Sequence, residues 1–408
     1  MKVAVIGGGA AGFFSAIHAK ENYPDAEVCL LEKTNKILAK VKVSGGGRCN
    51  VTNACTSIKE LSNAYPRGGK LLKKLFSEFS TADTRAWFES RGVPLMVQED
   101  QCIFPVSQDS QSIINCLLNE CRRLKITIKL KHNVKGIIRK DDQLTMEFMD
   151  DSLPAMTVDK VIMATGGSPT RRGLSWLEEM GHEISDPVPS LFTFNMPREP
   201  ITELMGVVVN PATVSIQGTK LKATGPLLIT HWGMSGPAIL KLSAFGARVM
   251  QEMNYECVAQ VNWVNVKSFN DVLAELESLQ ANAPKKQLSN QRPYMLPIRL
   301  WEYILHKADL ALDKPWHELG RKSLNRLVTL LTNDEYQVKG KTTFKEEFVT
   351  CGGVSLNSIH PRTMESLSVP GLYFTGELMD VDGITGGYNF QAAWTTAYVA
   401  GQLRSDHA

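Results

Sequence analysis

The stretch that most constrains the fold lies at the start of the chain. An apolar run, K-V-A-V-I (residues 2–6), ends at Gly7, and apolar residues recur at helical spacing in F-F-S-A-I-H-A (13–19). This pattern predicts a strand, a tight turn and a helix. Gly7, Gly9 and Gly12 match G-x-G-x-x-G. In such a turn the first glycine permits the bend, the second lets a phosphate approach the backbone, and the third lets helix and strand pack closely.

A second apolar run, E-V-C-L-L (27–31), ends at Glu32, twenty positions beyond Gly12. A carboxylate at the tip of the second strand can accept hydrogen bonds from the ribose hydroxyls of an adenosine. The N-terminus of the intervening helix would then face a pyrophosphate. The alternative, a solvated strand end, is the weaker interpretation. The first βαβ unit is therefore expected to bind a dinucleotide.

A glycine run inside K-V-S-G-G-G-R-C-N-V-T-N (42–53) follows this unit. Consecutive glycines expose backbone N–H groups, and Arg48, Asn50, Thr52 and Asn53 add donors suited to phosphate, ribityl and ring-edge acceptors. A flavin offers all three kinds of acceptor. The alternative is a flexible surface loop, but the dense polar residues favour the cofactor.

Two later segments fit the same cofactor. V-I-M-A-T-G-G (161–167) predicts a strand that returns beneath it, and 371–393 predicts a strand, a glycine-rich acidic loop and an alanine-rich helix. The start of that helix could support the negative charge that develops near the N1–C2=O edge of a reduced flavin. The residues expected to line this helix start are Gly386, Gly387, Tyr388 and Asn389.

Composition limits the alternatives. The chain has 408 residues and 43% hydrophobic content, enough for two or three domains with real cores. With 45 Lys and Arg against 42 Asp and Glu, the net charge of +3 does not argue for nucleic acid or an anionic membrane. Eight cysteines without a C-x-x-C pair or metal-ligand spacing favour a reduced, cytoplasmic setting and predict no metal site. No stretch is long enough to span a bilayer.

Five segments occur in an order that is similar to one known family. They are G-G-G-A-A-G (7–12), S-G-G-G-R-C-N-V-T-N (44–53), T-H-W-G-M-S-G-P (230–237), T-C-G-G-V (350–354) and G-E-L-M-D-V-D-G-I-T-G-G-Y-N (376–389). Over nearly its whole length the chain resembles the FAD-binding proteins that include aminoacetone oxidase and the BaiN-like flavoproteins, often described as NAD(P)/FAD-dependent oxidoreductases.

The resemblance implies FAD in an extended pose, with Glu32 at the adenosine ribose and Gly9 to Gly12 at the pyrophosphate. Because the motifs offer no evident covalent anchor, the FAD is expected to be bound non-covalently. Lys40 to Asn50 would lie along the ribityl chain and ring, and the backbone of Val134 is expected to meet the adenine. Trp232 and Met234 lie at positions expected to vary, which leaves the substrate open. The predicted cofactor-binding residues are Gly7, Gly9, Ala10, Ala11, Gly12, Glu32, Lys33, Lys40, Ser44, Gly45, Gly46, Gly47, Arg48, Asn50, Thr52, Val134, Ala164, Thr165, Gly166, Gly376, Glu377, Asp382, Gly383, Gly386, Gly387, Tyr388, Asn389 and Phe390.

The predicted fold class is α/β. A Rossmann-type FAD-binding domain of the two-dinucleotide-binding, glutathione-reductase type is interrupted by a β-barrel-like domain that carries a helical subdomain. Short runs separated by Gly and Pro from residue 189 predict the β part, and apolar spacing within 269–331 predicts the helices. The predicted boundaries are 1–188 and 350–408 for the FAD-binding domain, 189–267 for the β domain, 268–333 for the helices and 334–349 for a return strand.

Few residues suggest acid–base chemistry. Arg48 and His231 are the candidate catalytic residues, expected on opposite sides of a substrate cavity. Arg48 would stabilise anionic species, or else only order its loop, and His231 would move a proton, or else be structural. Cys49 is expected to be a buried residue rather than a redox group. For Asp380 and Asp382, loop-ordering hydrogen bonds are favoured over general-base catalysis.

The predicted function is an FAD-dependent oxidoreductase that acts on a small organic substrate by hydride transfer at flavin N5. No second G-x-G-x-x-G with a trailing acid is present, so both NAD(P)H as a transient donor and oxygen as an acceptor stay open. Two alternatives remain: a flavoenzyme that acts on tRNA, which would need a basic stripe and stacking aromatics, and a flavin-binding protein without catalysis. No nucleic-acid or membrane partner is expected.

Overall fold

The computed structural model describes residues 1–342 and 349–405. These fall into two compact units, one made of Met1–Ser190 with the chain from residue 349 onward, the other of residues 191–342. Part of the predicted return strand, 343–348, and the last residues of the predicted FAD-binding domain, 406–408, lie outside the described residues. Among the residues described, no helix has the length and apolar character that a membrane crossing requires.

The strands of the described chain are numbered in order. They are β1 (Lys2–Ile6), β2 (Glu27–Leu31), β3 (Thr52–Asn53), β4 (Leu95–Val97), β5 (Cys102–Pro105), β6 (Thr127–Lys129), β7 (Val134–Lys140), β8 (Gln143–Phe148), β9 (Met156–Val158), β10 (Lys160–Met163), β11 (Ile184–Ser190), β12 (Thr193–Asn195), β13 (Val208–Ile216), β14 (Lys222–Thr230), β15 (Gly233–Ser235), β16 (Glu256–Asn262), β17 (Asp334–Lys339), β18 (Lys341–Thr342), β19 (Val349–Val354) and β20 (Leu372–Phe374).

The α-helices follow the same convention, and short 3₁₀ turns lie between them. The helices are α1 (Ala10–Asn22), α2 (Ala39–Gly47), α3 (Ile58–Asn63), α4 (Gly69–Leu75), α5 (Thr81–Glu89), α6 (Gln111–Arg123), α7 (Ser175–Glu179), α8 (Pro237–Phe245), α9 (Ala247–Glu252), α10 (Phe269–Asn282), α11 (Ile298–Lys307), α12 (Arg321–Thr332) and α13 (Tyr388–Ala400). The 3₁₀ turns are Arg171–Leu174, Pro200–Leu204, Leu288–Asn290, Pro293–Met295, Trp316–Glu318, Leu356–Ser358 and Gly376–Leu378.

The first unit is organised around a parallel sheet of order β20-β10-β1-β2-β6. Its central strands are almost wholly buried and rich in Val, Ile and Leu, as expected when helices cover both faces. Ile6 pairs with both Leu31 and Met163, and Met163 pairs with Phe374. The carboxyl ends of these strands therefore lie along one edge. The Rossmann-like α/β fold predicted from the sequence is confirmed.

Helices α1 and α13 pack together beside this sheet. The Phe14 ring of α1 lies 5.1 Å from that of Trp394 in α13 and 4.7 Å from that of Trp87. Both helices are buried over most of their length, which explains their high content of alanine and other small residues. The start of each helix thus depends on the same core.

The second unit contains an antiparallel sheet of order β17-β16-β13-β14-β15-β12-β18. Its two outermost strands, β17 and β18, are consecutive in the chain and separated only by Gly340. The Gly340 carbonyl accepts a hydrogen bond from the backbone N–H of Asn195 (3.1 Å), so the edges of the sheet meet as in a barrel. Helices α10, α11 and α12 belong to the core of this unit, where Trp301 and Trp316 stack. This agrees with the predicted barrel-like fold that carries helices.

One detail of this unit differs from the sequence prediction. The sequence predicts a single return strand over 334–349, but Gly340 adopts a φ of +99° and divides its described part into β17 and β18. Only glycine reaches this backbone conformation readily. Because β17 pairs with β16 whereas β18 pairs with β12, the break is what lets consecutive strands occupy the two ends of the sheet.

Candidate cofactor site

The fingerprint turn between β1 and α1 is built on two glycines that have no room for a side chain. A Cβ on Gly7, which has a φ of +118°, would lie 2.3 Å from the Ala164 carbonyl oxygen. A Cβ on Gly12 would lie 1.8 Å from the Gly7 carbonyl oxygen. Backbone packing within the protein therefore requires glycine at both positions.

Gly9 lies in the same turn but faces open space. It is the N-cap of α1, no side chain caps the helix there, and a Cβ at this position would have nothing of the described chain within 4 Å. Ala10 and Ala11 follow as the first helical residues. Their small side chains and the free N–H groups of the first turn suit a phosphate. The geometry of this turn fits the pyrophosphate of a dinucleotide.

Glu32 lies at the adjacent strand end, next to the fingerprint turn. Its carboxylate accepts hydrogen bonds from the Gly8 N–H (2.9 Å) and from the N–H and hydroxyl of Thr34 (2.8 and 2.9 Å). Lys33 is exposed. Val134 starts β7, two residues beyond His132, whose N–H donates to the Glu32 carbonyl. Glu32 and the segment just before Val134 therefore lie next to each other, where β2 ends.

The glycine run forms the irregular end of α2. Ser44 is extended, whereas Gly45, Gly46 and Gly47 have φ values of +58°, +69° and +85°. Nothing in the described chain lies within 4 Å of a Cβ built on Gly46 or Gly47. Gly166, after β10, is equally open at a φ of +75°. These glycines leave their backbones accessible, as a cofactor-binding loop requires.

Arg48 follows the run and is held firmly. Its Nε donates to the Gly45 carbonyl (3.0 Å), its Nη1 donates to Gln108 (3.2 Å), and its guanidinium lies 4.2 Å from the centre of the Phe104 ring. Sequence reasoning missed Phe104 and Gln108, since neither lies in a recognisable motif. The next residue, Cys49, is fully buried, and burial raises the pKa of its thiol to about 12. Such a thiol is unreactive, which favours the structural interpretation of Cys49.

The glycine run and the loop before α13 interlock. The Asn53 amide donates to the Gly386 carbonyl (3.0 Å), and the Asn50 amide oxygen accepts from the Gly387 N–H (3.0 Å). Thr52 donates to Gln391 (2.5 Å). These segments are more than 330 residues apart in sequence, so the structure joins two motifs that the sequence only suggested were related.

Helix α13 starts at this junction without a side-chain cap. Its N-cap, Gly387, has a φ of +86°, and the Tyr388 carbonyl accepts from the hydroxyl of Tyr65 (2.7 Å). Asn389 exchanges two hydrogen bonds with Gly383 (2.8 and 2.9 Å). The Phe390 ring stacks on the Trp394 ring, with the two ring centres 5.8 Å apart. The predicted residues of this loop therefore lie together.

A third group lies at the ends of β10 and β20. Glu377 accepts from Lys40 (2.7 Å) and from the N–H of Thr350 (2.8 Å). Gly376, with a φ of +67°, brings its Cα close enough to α1 that a Cβ would lie 3.0 Å from that of Ala11. The Ala164 N–H donates a hydrogen bond to the Ile6 carbonyl, which extends the pairing of β10 with β1. The next residue, Thr165, is exposed.

Asp380 and Asp382 are both engaged in ordering their loop. Asp380 accepts from the Gly352 N–H (2.9 Å). Asp382 is fully buried and forms a two-pronged ion pair with Arg67, while Ser190 donates to its Oδ2 (2.7 Å). Burial raises the pKa of Asp382, and Arg67 opposes that increase. A direct contact between Asp382 and a cofactor stays a prediction.

Arg67 and Tyr65 were not found from the sequence. Both belong to Y-P-R-G-G (65–69), in which an arginine precedes two glycines, whereas in the S-G-G-G-R run the arginine follows three. An arginine next to consecutive glycines was the available signal. A Cβ on Gly68 would lie 2.6 Å from Val381, so the second glycine pair is also a place of close packing with the acidic loop.

His231 belongs to the second unit and is exposed. Its ring meets that of Trp232 edge to face at 4.4 Å, and Trp232 donates from Nε1 to the Thr193 hydroxyl (3.2 Å). The catalytic roles of His231 and Arg48 stay predictions. Among the described residues, no group of three or more His, Cys, Asp and Glu could hold a metal ion.

Comparison with known proteins identifies the family. The model of the HI0933-like protein Rossmann domain matches residues 1–403. The chain belongs to this family. The resemblance to BaiN-like flavoproteins is thereby confirmed, whereas the link to aminoacetone oxidase stays a prediction.

Two relatives match this chain over almost its whole length. It is 29% identical over 430 residues to a 3-dehydro-bile acid delta(4,6)-reductase of Clostridium scindens, with 99% of each chain covered. It is 30% identical over 415 residues to a ribosomal RNA dihydrouridine synthase of Escherichia coli, covering 98% of this chain and 96% of the relative.

A solved structure supports the fold. A 3-ketosteroid delta1-dehydrogenase from Sterolibacterium denitrificans matches with a TM-score of 0.51 at 11% identity, covering 98% of each chain. That structure bears on the fold alone, and it is the family and the reductase among its relatives that identify an FAD-dependent oxidoreductase. The open glycines at the sheet edge and the uncapped starts of α1 and α13 fit FAD, although the individual contacts stay predictions.

Proposed function

We propose that the protein is a reductase that transfers a hydride from FAD to a carbon–carbon double bond conjugated to a carbonyl group, and that its substrate is a small organic molecule. The observation that carries this proposal is the chemistry shared by two relatives' names. A 3-dehydro-bile acid with double bonds at positions 4 and 6 is a conjugated ketone. The uracil ring, which becomes dihydrouridine, also has its double bond next to a carbonyl.

FAD, when bound, supplies the hydride at N5. Hydride addition to a conjugated double bond places negative charge on the carbonyl oxygen, so the protein must supply a fixed positive group and a proton donor. Arg48 suits the first role, since Gly45, Gln108 and Phe104 hold its guanidinium. Its Nη2 makes no hydrogen bond to any described residue and is free to meet an anion. His231 is the proposed proton donor.

NAD(P)H is the proposed electron donor for the flavin. The sequence has no second dinucleotide fingerprint, so a nicotinamide would bind transiently at the flavin rather than in a domain of its own. The alternative is direct reduction by an amine substrate, with oxygen as the acceptor. Anaerobic flavin reduction by NADH, NADPH and a panel of amines separates these donors.

A uracil base in RNA is the second candidate substrate, and one observation favours it beyond the relative's name. Residues 191–343 contain 17 Lys and Arg against 13 Asp and Glu, whereas the rest of the chain contains 28 against 29. The excess positive charge therefore lies in the second unit, and cations favour binding to phosphates. The small molecule stays the first candidate because the overall excess is only +3.

The test begins with the holoenzyme reduced under anaerobic conditions. It is mixed separately with a conjugated 3-oxo steroid diene and with a uridine-containing ribosomal RNA fragment, and flavin reoxidation is followed by absorbance. Reoxidation coupled to saturation of the double bond supports the reductase, and the arm that reacts identifies the substrate class. Reoxidation by oxygen alone would contradict it.

Variants then assign the residues. We expect Arg48→Met to slow reoxidation by about 10²–10³-fold, because a fixed donor to the developing oxyanion is lost. His231→Ala should slow it by about 10²–10⁴-fold, as removal of a proton donor does, while FAD binding is kept. Arg122→Met, at an exposed arginine of α6, is the matched control and should leave the rate unchanged. A His231→Ala enzyme with unchanged kinetics would return that histidine to a structural role.

A further inference from the structure

The loop between β20 and α13 is rich in glycine, so its sequence alone does not fix its backbone conformation. In D-G-I-T-G-G (382–387), Gly386 and Gly387 have φ values of +123° and +86°. Glycine loses more backbone freedom on ordering than other residues do. A loop of this composition therefore needs fixed points if α13 is to start at one place.

The downstream end of the loop is fixed by amides. Asn53 binds the Gly386 carbonyl (3.0 Å), and Asn50 accepts from the Gly387 N–H (3.0 Å). These contacts hold the last residues before the helix. Neither hydrogen bond involves the first residues of the loop.

The upstream end is fixed by Arg67. Its Nε donates to Asp382 Oδ1 (2.5 Å) and its Nη2 to Oδ2, while the two backbones form an isolated β-bridge. Ser190 donates to the same Oδ2 (2.7 Å). Asp382 is fully buried and Arg67 is 15% exposed, so the pair is largely removed from water. An arginine fork is the side chain that meets a carboxylate in this rigid, two-bond manner.

We propose that Arg67 is a positioning residue for the flavin: through Asp382 and with the support of Ser190, it holds the loop so that the uncapped N–H groups at the start of α13 face the N1–C2=O edge of bound FAD. This inference rests on the proposed placement of the flavin at α13. A helix N-terminus stabilises the negative charge of reduced flavin, so accurate placement raises the reduction potential.

The test replaces Arg67 with Lys, which keeps the charge but cannot form two parallel bonds, and with Met. Holoprotein midpoint potentials are measured by dye equilibration, FAD dissociation constants by titration of apoprotein, and stability by denaturation. We expect Arg67→Lys to shift the flavin equilibrium toward the oxidised form by about tenfold, or about 30 mV for a two-electron couple. FAD binding should weaken by several-fold.

Two further variants make the result specific. Ser190→Ala removes one partner and keeps the ion pair, so it should shift the potential in the same direction by about two- to fivefold. Arg67→Met leaves a buried carboxylate unpaired. If that variant fails to fold, Ser190→Ala still tests the proposal. Arg85→Lys, in the exposed Arg85–Glu89 pair of α5, is the matched control and should change neither potential nor binding.

The outcomes separate this inference from the proposed function. Loss of stability in Arg67→Lys and Ser190→Ala with potential and FAD binding unchanged would overturn the positioning role and leave an ordinary structural ion pair. Wild-type protein that binds no FAD would overturn the proposed function itself. A shifted potential in both variants, with the control unchanged, supports the inference.

Discussion

Two groups of glycines at the cofactor site differ in what surrounds them. At Gly7 and Gly12, a side chain would meet backbone oxygens at 2.3 and 1.8 Å. At Gly9 and Gly46, a Cβ would meet nothing in the described chain within 4 Å. Glycine at the first pair is a requirement of the fold, whereas at the second pair it keeps space and backbone groups available.

One sequence motif can therefore combine two separate physical demands. Gly9 and Gly12 lie three residues apart in the same fingerprint, yet Gly9 faces open space at the start of α1 and Gly12 faces the backbone of Gly7. Substitution of Gly12 should therefore disrupt folding, whereas substitution of Gly9 should weaken cofactor binding.

Gly12→Ala should prevent stable folding. The added methyl group would overlap the Gly7 carbonyl, and Gly7 is itself packed against Ala164, so neither backbone can move away. We expect the free energy of unfolding of the apoprotein to fall by about 3 kcal/mol or more, as in severe overpacking. Urea denaturation of purified apoprotein, or the soluble yield when none can be purified, measures this. Wild-type stability would show that the turn can open.

Gly9→Ala should spare the fold and weaken FAD binding. Its φ of −93° is ordinary for alanine and the space is open, so the free energy of unfolding should stay within about 1 kcal/mol of wild type. The methyl group would occupy the place predicted for the pyrophosphate, and the FAD dissociation constant should rise by about 10- to 100-fold. Titration of apoprotein with FAD measures it. Unchanged affinity would place the phosphates elsewhere.

Glu32→Ala should weaken FAD binding more than Glu32→Gln, because the amide keeps an oxygen that can accept from the ribose. The expected loss for alanine is about 1–3 kcal/mol, the range for a hydrogen bond to a charged group. Glu27, at the opposite and exposed end of the same strand, provides the control, since Glu27→Ala should leave affinity unchanged. Equal, undiminished binding in both Glu32 variants would remove this residue from the site.

Gly46→Ala should lower stability moderately, and far less than Gly12→Ala. An alanine at a φ of +69° is strained, although its Cβ would contact no neighbour in the described chain. We expect the free energy of unfolding to fall by about 1–2 kcal/mol, and Gly46→Asn to recover part of this because asparagine tolerates the left-handed conformation. Denaturation of the two apoproteins checks the order. A loss as large as that of Gly12→Ala would mean that the glycine run is packed rather than open.

The strongest sequence predictions were those that depend on local periodicity. The strand at 2–6, the helical segment 13–19, the strand at 27–31 and the alanine-rich helix after residue 387 all lie where the sequence placed them. Burial on both faces of a parallel sheet imposes continuous apolar runs, and such runs are readable without any tertiary information. The three-strand sheet β7-β8-β9 was missed except for Val134, although β8 (Q-L-T-M-E-F) alternates polar and apolar residues as a half-exposed strand does.

The Rossmann-like core, its glycine fingerprint and the family can be read from short segments of the chain, because backbone conformation and apolar periodicity are local properties. Tertiary structure alone decided that Asn53 meets Gly386, that Phe104 and Gln108 hold Arg48, and that Arg67 anchors Asp382. These partners are distant in the chain. Their pairing follows from how the sheet brings strand ends to one edge and from the cost of burying a carboxylate without a counter-ion, neither of which a local pattern records.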